Sequence, residues 1–129
     1  MPVVLDASAL VELLLQSDRA PAVLQAIGNT ELAAPDVINL EVLSTLRRLE
    51  WIGALPTDRA GQAVDDLRVA KVQRFPTLPL LPAAWTLRAN VTSYDVCYVA
   101  LAEALGCTLV TADLKLSRVP GLGVPLITV

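Results

Sequence analysis

The chain has 129 residues and a mass of 13.7 kDa, the size of one compact domain, and we expect residues 1–129 to form a single unit. Its hydrophobic fraction of 54% and charged fraction of 18% exclude a disordered or linker-like chain. The net charge of −3 is the wrong sign for a surface that attracts nucleic acid as a whole. Nucleic-acid binding would need a local basic patch, and the apolar surplus predicts a partner or a second copy.

The first quarter of the chain alternates short apolar runs with helical patterns. Residues 3–5 are predicted to form a buried strand, and residues 8–16 carry leucines at helical spacing. A second helix starts at Pro21 and ends at Gly28 and Asn29, and residues 31–34 form the next predicted strand.

The remaining elements continue the alternation. Asp36 is expected to cap a helix that runs to Trp51 or Ile52, and residues 57–73 form a further predicted helix. The three prolines in residues 75–82 favour an extended segment or a short edge strand. The last predicted elements are a helix at 83–89, a helix at 94–105 capped by Thr92 and Ser93, and strands at 108–111 and 124–129. This order predicts an α/β fold with a central, mostly parallel sheet flanked by helices.

The chain contains no histidine. This excludes Ser-His-Asp and Cys-His catalysis and His-ligated zinc or iron. Cys97 and Cys107 lack metal-site spacing and are expected to be buried apolar residues. Any chemistry must therefore use carboxylates, hydroxyls or a bound metal ion.

No apolar run is long enough to cross a membrane, and the first residues do not resemble a signal peptide. We therefore expect a cytoplasmic protein that makes no membrane contact.

Acidic residues fall where parallel strands end and where the following helices begin. Asp6 follows the first strand and Asp113 follows a late one, whereas Glu41 and Asp95 lie early in two helices. Strand ends and the helix starts after them share one rim of such a sheet, where ligands bind. Acids from separated segments can therefore converge.

Each acid also has a structural interpretation. Asp95 could complement a helix N-terminus, Asp113 could cap a turn at 114–117, and Asp6 could be a turn residue. Glu41 lies in the apolar run 37–43, where a solvated acid is not expected on most faces. Converging carboxylates repel one another unless a cation lies among them, and oxygen ligands suit Mg²⁺ or Mn²⁺.

The segments around these acids resemble PIN-domain ribonucleases, and among them the VapC toxins of VapBC toxin-antitoxin pairs. The resemblance rests on Val3 to Ser8, on Glu41 in Leu-Glu-Val, on Tyr94-Asp95 and on Thr111 to Asp113, and it covers nearly the whole chain in order.

The resemblance implies a three-layer PIN-like fold and an endoribonuclease that hydrolyses RNA with Mg²⁺ or Mn²⁺. It implies that Asp6, Glu41, Asp95 and Asp113 hold the metal, with Ser8 and Thr111 as supporting hydroxyls. It further implies a homodimer and a VapB-like antitoxin. Some relatives carry another acid or amide shortly after the position of Asp113. This chain has Lys115, Leu116 and Ser117 there and so lacks that additional ligand for a second tightly bound ion.

Without histidine, a metal-activated water is the expected nucleophile, giving 5′-phosphate and 3′-hydroxyl ends. RNA-binding candidates form three basic groups, each of which could equally be a solvated surface: Arg68, Lys71 and Arg74 within two predicted helical turns; Arg47 and Arg48; and Lys115 and Arg118. Trp51 and Trp85 could stack on bases but are expected in the core or an interface.

Other functions remain open at this point. A haloacid-dehalogenase-like phosphatase needs a second aspartate where Ser8 stands, and a phospho-receiver domain needs paired acids beside Asp6. A PIN fold could also act as a scaffold, or as an RNA-processing nuclease without an antitoxin.

Overall fold

A computed structural model describes residues 2–89, 91, 95–119 and 121–129. Five strands form one parallel sheet in the order β3-β2-β1-β4-β5. The strands are β1 (Val3–Leu5), β2 (Leu32–Pro35), β3 (Val72–Phe75), β4 (Leu109–Thr111) and β5 (Leu126–Thr128). The predicted α/β class and parallel sheet are confirmed.

Helices flank the sheet in two groups. One group, α1 to α4, packs together, and the other places α6 on β1, β2 and β4 with α5 beside it. The helices are α1 (Ala7–Leu15), α2 (Ala20–Ile27), α3 (Ile38–Trp51), α4 (Thr57–Val69), α5 (Leu81–Thr86), α6 (Asp95–Leu105) and α7 (Leu114–Ser117), with a 3-10 turn at Leu78–Leu80. In the described part of the chain, no helix combines the length and apolar character needed to span a membrane.

The middle strands are short and almost completely buried. All residues of β1 and β4 are buried, and β1 pairs with both β2 and β4. Fully buried aliphatic residues such as Leu5 and Val110 therefore supply much of the core at the sheet centre. The buried centre fixes the carboxyl ends of β1 and β4 next to each other, which places Asp6 beside Thr111.

The predicted helix at 57–73 is too long. It ends at Val69, and Ala70 is extended with φ −60° and ψ 135°, after which Val72–Phe75 forms β3. Because β3 is an edge strand with polar residues at Gln73 and Arg74, its sequence continues the pattern of the amphipathic helix before it. The expected edge strand within 75–82 is wrong; that segment holds the 3-10 turn instead.

Two further expectations differ in detail. Asp36 does not cap α3 with its side chain; its N–H donates to Phe75 O at 2.7 Å and Val37 precedes the helix. Helix α5 begins at Leu81 rather than at residue 83. The predicted cap at Thr92 and Ser93, and Tyr94, lie outside the described residues.

Candidate active site

Asp6 lies at the junction of β1 and α1. Its Oδ1 accepts hydrogen bonds from the N–H of Ala9 at 3.0 Å and the hydroxyl of Ser8 at 2.7 Å. The hydroxyl of Thr111 donates to its Oδ2. Asp6 therefore caps α1, yet it is only 4% exposed. The structural role of Asp6 is thus a helix cap rather than the turn residue expected from the sequence, and its side chain is almost completely buried.

Two hydroxyls connect Asp6 to the loop between β4 and α7. Ser8 Oγ accepts the N–H of Ala112, and Thr111 Oγ1 accepts the N–H of Asp113, both at 2.9 Å. Asp113 in turn caps α7, because its Oδ1 accepts the N–H of Lys115 at 2.9 Å. Ser8 and Thr111 thus orient the carboxylate of Asp6 and the backbone that carries Asp113.

Glu41 enters the same region from the first turn of α3. Tyr98, one turn after Asp95 on α6, donates its hydroxyl to Glu41 Oε1 at 2.5 Å. Sequence patterns alone did not single out Tyr98. Its signal was present in the sequence, because a phenol three residues after Asp95 lies on the same helix face in an otherwise apolar segment.

Burial and mutual repulsion act on these carboxyls. Burial raises the pKa of Asp6 above its usual range, against the hydrogen bonds from Ser8, Thr111 and Ala9, and Asp95 raises it further. Burial likewise raises the pKa of Glu41, opposed by the Tyr98 hydrogen bond, with smaller contributions from Asp95 and Asp6. The acids therefore influence one another through the space they share, as converging carboxylates do.

The four predicted acids line one cavity of about 960 Å³. Its other polar lining includes Ser8, Tyr98, Glu12, Arg19 and Arg48. Its apolar rim includes Leu40, 68% exposed, and Leu114, 56% exposed. The structure therefore brings Asp6, Glu41, Asp95 and Asp113 to one pocket, from four separate elements.

The cavity supplies the right atoms for a hard divalent ion. It holds carboxylate and hydroxyl oxygens, the donors that Mg²⁺ and Mn²⁺ prefer. Across the described residues, no three His, Cys, Asp or Glu side chains stand close enough to ligate one ion as they are placed. These oxygen donors suit such an ion, but the carboxylates would have to move closer together to bind it. A bound cation would offset the repulsion between the carboxylates that opposes this movement.

Arg19 is a second residue of the cavity that sequence patterns did not indicate. Its guanidinium donates to Ala112 O at 3.1 Å and to Val129 O, so it links the loop before Asp113 to the residue that follows β5. The sequence offers no signal for this contact, because the partners are separated by more than ninety residues and both are backbone atoms.

The candidate RNA-binding cations have different environments. Arg74 is not on a helix; its guanidinium donates to the carbonyls of Leu67, Ala70 and Val72 around the end of α4 and to Asn39. Arg68 lies 3.9 Å from Asp65 on an exposed helix face, and Lys71 follows the end of α4. The grouping of Arg68, Lys71 and Arg74 within two helical turns is therefore wrong. Arg48, in contrast, lines the cavity.

The tryptophans are exposed rather than in the core. Trp51 is 82% exposed and Trp85 is 67% exposed, with the guanidinium of Arg88 4.2 Å from the Trp85 ring centroid. An interface role remains for both rings. Cys107 is buried as expected, whereas Cys97 is only half-buried.

Comparisons with known proteins identify the family of this chain. A family model for the PIN domain matches residues 3–122. The chain is 42% identical over 115 residues to the VapC ribonuclease Mb0985 of Mycobacterium bovis, which covers 89% of this chain and 88% of that protein.

Solved structures show the same fold. One is VapBC2 from Rickettsia felis bound to a DNA fragment from its promoter, with a TM-score of 0.70, 17% identity and 99% and 98% of the two chains covered. Another is a toxin-antitoxin complex from Klebsiella pneumoniae, with a TM-score of 0.66, 16% identity and 98% and 96% covered. These matches rule against the phosphatase-like and phospho-receiver alternatives, and the chain belongs to the PIN-domain family.

Proposed function

We propose that this chain is the toxin of a VapBC-type pair, an endoribonuclease that hydrolyses RNA at the acidic cavity with Mg²⁺ or Mn²⁺. The proposal assigns Asp6, Glu41, Asp95 and Asp113 to the ion, and Ser8 and Thr111 to the support of these carboxylates. The ribonuclease activity itself rests on the family and on relatives such as the M. bovis VapC ribonuclease.

The observation that carries the metal assignment is the electrostatic cost of this cavity. Four acids from four elements line it, and burial with mutual repulsion raises the pKa values of Asp6 and Glu41. Helix capping alone does not require these four acids to line one cavity. A divalent cation among them offsets both the burial and the repulsion.

The protein residues position the reaction. Thr111 and Ser8 fix the oxygens of Asp6 by donating to them, and the Asp113 N–H bound to Thr111 Oγ1 holds the neighbouring loop. When bound, the ion supplies Lewis acidity, which lowers the pKa of the attacking water and offsets charge on the phosphoryl oxygens.

Two arginines line the cavity, and because Arg19 donates to the carbonyls of Ala112 and Val129, we assign Arg48 to hold an RNA phosphate. Arg48 lines the cavity that contains the acids, and its position on α3 is about two turns beyond Glu41. An acidic pocket repels the RNA backbone, so at least one cation at its edge is needed to bind substrate. Lys115 and Arg118 follow Asp113 in the sequence and are exposed. They can add further contacts to the RNA backbone.

An antitoxin is proposed to close this cavity. The exposed rim residues Leu40 and Leu114 provide apolar contact, and a basic partner side chain among the acids would replace the cation. The exposed Leu78, Leu81 and Trp85 form a separate apolar group on the 3-10 turn and α5, which supports a homodimer.

The decisive experiment measures RNA cleavage after EDTA treatment and after restoring Mg²⁺ or Mn²⁺. We expect EDTA to abolish cleavage, either metal to restore it, and the products to carry 5′-phosphates and 3′-hydroxyls. Cleavage that survives thorough chelation, or 2′,3′-cyclic phosphate ends, would overturn the mechanism. Asp65→Asn, at an exposed acid on α4, is the matched control and should cleave like the wild type.

The presence of an antitoxin is tested separately. We expect the neighbouring upstream gene to encode a small protein that, when purified with this chain, blocks cleavage. A complex that forms but leaves cleavage unchanged would contradict inhibition, and a nuclease without any such partner would favour an RNA-processing role.

A further inference from the structure

Tyr98 is a deeply buried polar side chain that contacts a proposed metal ligand from another helix. Its side chain belongs to the fully buried core, with a relative exposure of 1%. Its hydroxyl nevertheless reaches the cavity and donates to Glu41 Oε1 at 2.5 Å. A buried phenol needs a partner for its hydroxyl, and here that partner is a half-buried carboxylate on α3.

The phenol oxygen also has a second contact. The backbone N–H of Ala7, the first residue of α1, interacts with the same oxygen. The hydroxyl of Tyr98 thus connects the start of α1, next to Asp6, with Glu41 on α3. Asp95 lies three residues before Tyr98 on the same helix, so α6 brings an acid and this phenol to one face.

Glu41 needs such a contact more than Asp6 does. Two hydroxyls and a backbone N–H hold the Asp6 carboxylate, and Asp6 has only one side-chain carbon between Cα and the carboxyl group. The longer Glu41 side chain has an additional rotatable bond. The hydroxyl of Tyr98 restricts that freedom, because it holds one carboxylate oxygen from a neighbouring helix.

We propose that Tyr98 is a positioning residue that holds Glu41 Oε1 through its hydroxyl and so presents Glu41 Oε2 to the divalent ion. This inference rests on the proposed metal site. In this role Tyr98 acts through Glu41, as partners that orient ligating carboxylates do in other metal sites.

The test compares Mn²⁺ binding by wild type and Tyr98→Phe, measured by calorimetry or by the loss of free Mn²⁺ signal in electron paramagnetic resonance. The ring is retained, so the variant removes only the hydroxyl. We expect Mn²⁺ affinity to fall about tenfold or more, the range found when partners of metal ligands are removed. Thr86→Val, which removes an exposed hydroxyl bonded within α5, is the control and should bind Mn²⁺ normally.

A second pair of variants separates positioning from a general packing defect. In a Glu41→Ala background, Tyr98→Phe should cause no further loss of Mn²⁺ affinity, because the carboxylate through which it acts is absent. An equal loss in both backgrounds would show that Tyr98 only supports the fold, and would overturn the proposal. An unchanged affinity of the single Tyr98→Phe variant would overturn it too.

The same titrations distinguish this proposal from the metal site on which it rests. If wild type binds no Mn²⁺, or if Asp6→Asn binds it as well as wild type, the proposed metal site itself is wrong. If Asp6→Asn abolishes binding while Tyr98→Phe leaves it unchanged, only the positioning role of Tyr98 fails.

Discussion

Thr111 and Asp6 are 105 positions apart in the chain, and the hydroxyl of Thr111 donates to Asp6 Oδ2 inside the protein. Thr111 is completely buried at the end of β4, and Asp6 follows β1, its parallel neighbour in the sheet. The pairing of two central strands therefore positions the first acid of the site. The hydroxyl that donates to Asp6 Oδ2 comes from β4, the strand paired with β1.

Removing the charge of Asp6 should separate activity from stability. Asp6→Asn should lower RNA cleavage by about a hundredfold or more, because a proposed metal ligand loses its charge. Stability in EDTA should be unchanged or higher, since repulsion and burial of a charge are relieved and asparagine can still cap α1. Thermal melts and cleavage assays on the same preparation check both.

Added Mg²⁺ provides the complementary measurement. Wild type should melt at a higher temperature as Mg²⁺ rises, because an ion that binds only the folded state stabilises it. Asp6→Asn should gain less. If the variant melts well below wild type in EDTA and neither protein responds to Mg²⁺, the acids are structural residues rather than a shared metal site.

The raised pKa values of Asp6 and Glu41 predict how metal-free stability depends on pH. Their ordinary values are 3.8 and 4.5, and burial raises both in the folded protein. Between the unfolded and folded pKa values the folded state binds more protons, so stability should fall as pH rises through this window. Urea unfolding in EDTA from about pH 4 to about pH 7.5 measures the trend, with all conditions compared at one ionic strength.

The Asp6→Asn variant tests which groups cause this dependence of stability on pH. Asp6→Asn should show a shallower loss of stability with rising pH, because one of the two groups no longer titrates. A slope equal to that of wild type would assign the trend to other groups. Stability that instead rises with pH across the window would contradict the raised pKa values.

Thr111→Val should leave Asp6 Oδ2 without its hydroxyl donor and the N–H of Asp113 without its acceptor. Because Thr111 is buried, we expect a loss of about 1–3 kcal/mol in the free energy of unfolding, together with reduced cleavage. Thr111→Ser keeps the hydroxyl and should recover most of the activity. Chemical denaturation gives the stability, and equal activity of the valine and serine variants would contradict the role of the hydroxyl.

Arg48 and Arg74 form a matched pair of arginine-to-alanine changes. Arg74→Ala should lower stability by about 1–3 kcal/mol, because Arg74 donates to carbonyls around the end of α4. Arg48→Ala should instead weaken RNA binding and reduce its salt dependence, with little change in stability. Binding is measured by titrating RNA into Asp6→Asn protein in EDTA, where we expect no cleavage during the titration. A large loss of RNA affinity for Arg74→Ala alone would reverse this assignment.

The sequence by itself determined the parts of this protein that depend on local patterns. The buried run of β1, the cap at Asp113 and the position of Asp95 in the first turn of α6 follow from residue type and spacing. The alternation of strands and helices also placed these acids at one rim, because parallel strands end on the same side of a sheet. The lack of histidine limited the chemistry to carboxylates, hydroxyls or a bound metal ion, whatever the fold.

Other features depend on contacts between distant segments, so only the tertiary structure decided them. Val72–Phe75 became an edge strand because β2 was available to pair with it, although its polar residues continue a helical pattern. Because Arg74 lies in this strand, its guanidinium reaches the carbonyl of Leu67 near the end of α4. Tyr98 donates a hydrogen bond to Glu41 because α6 and α3 lie beside one cavity. Residue spacing carries no information about a contact across 57 positions; packing around the common core creates it.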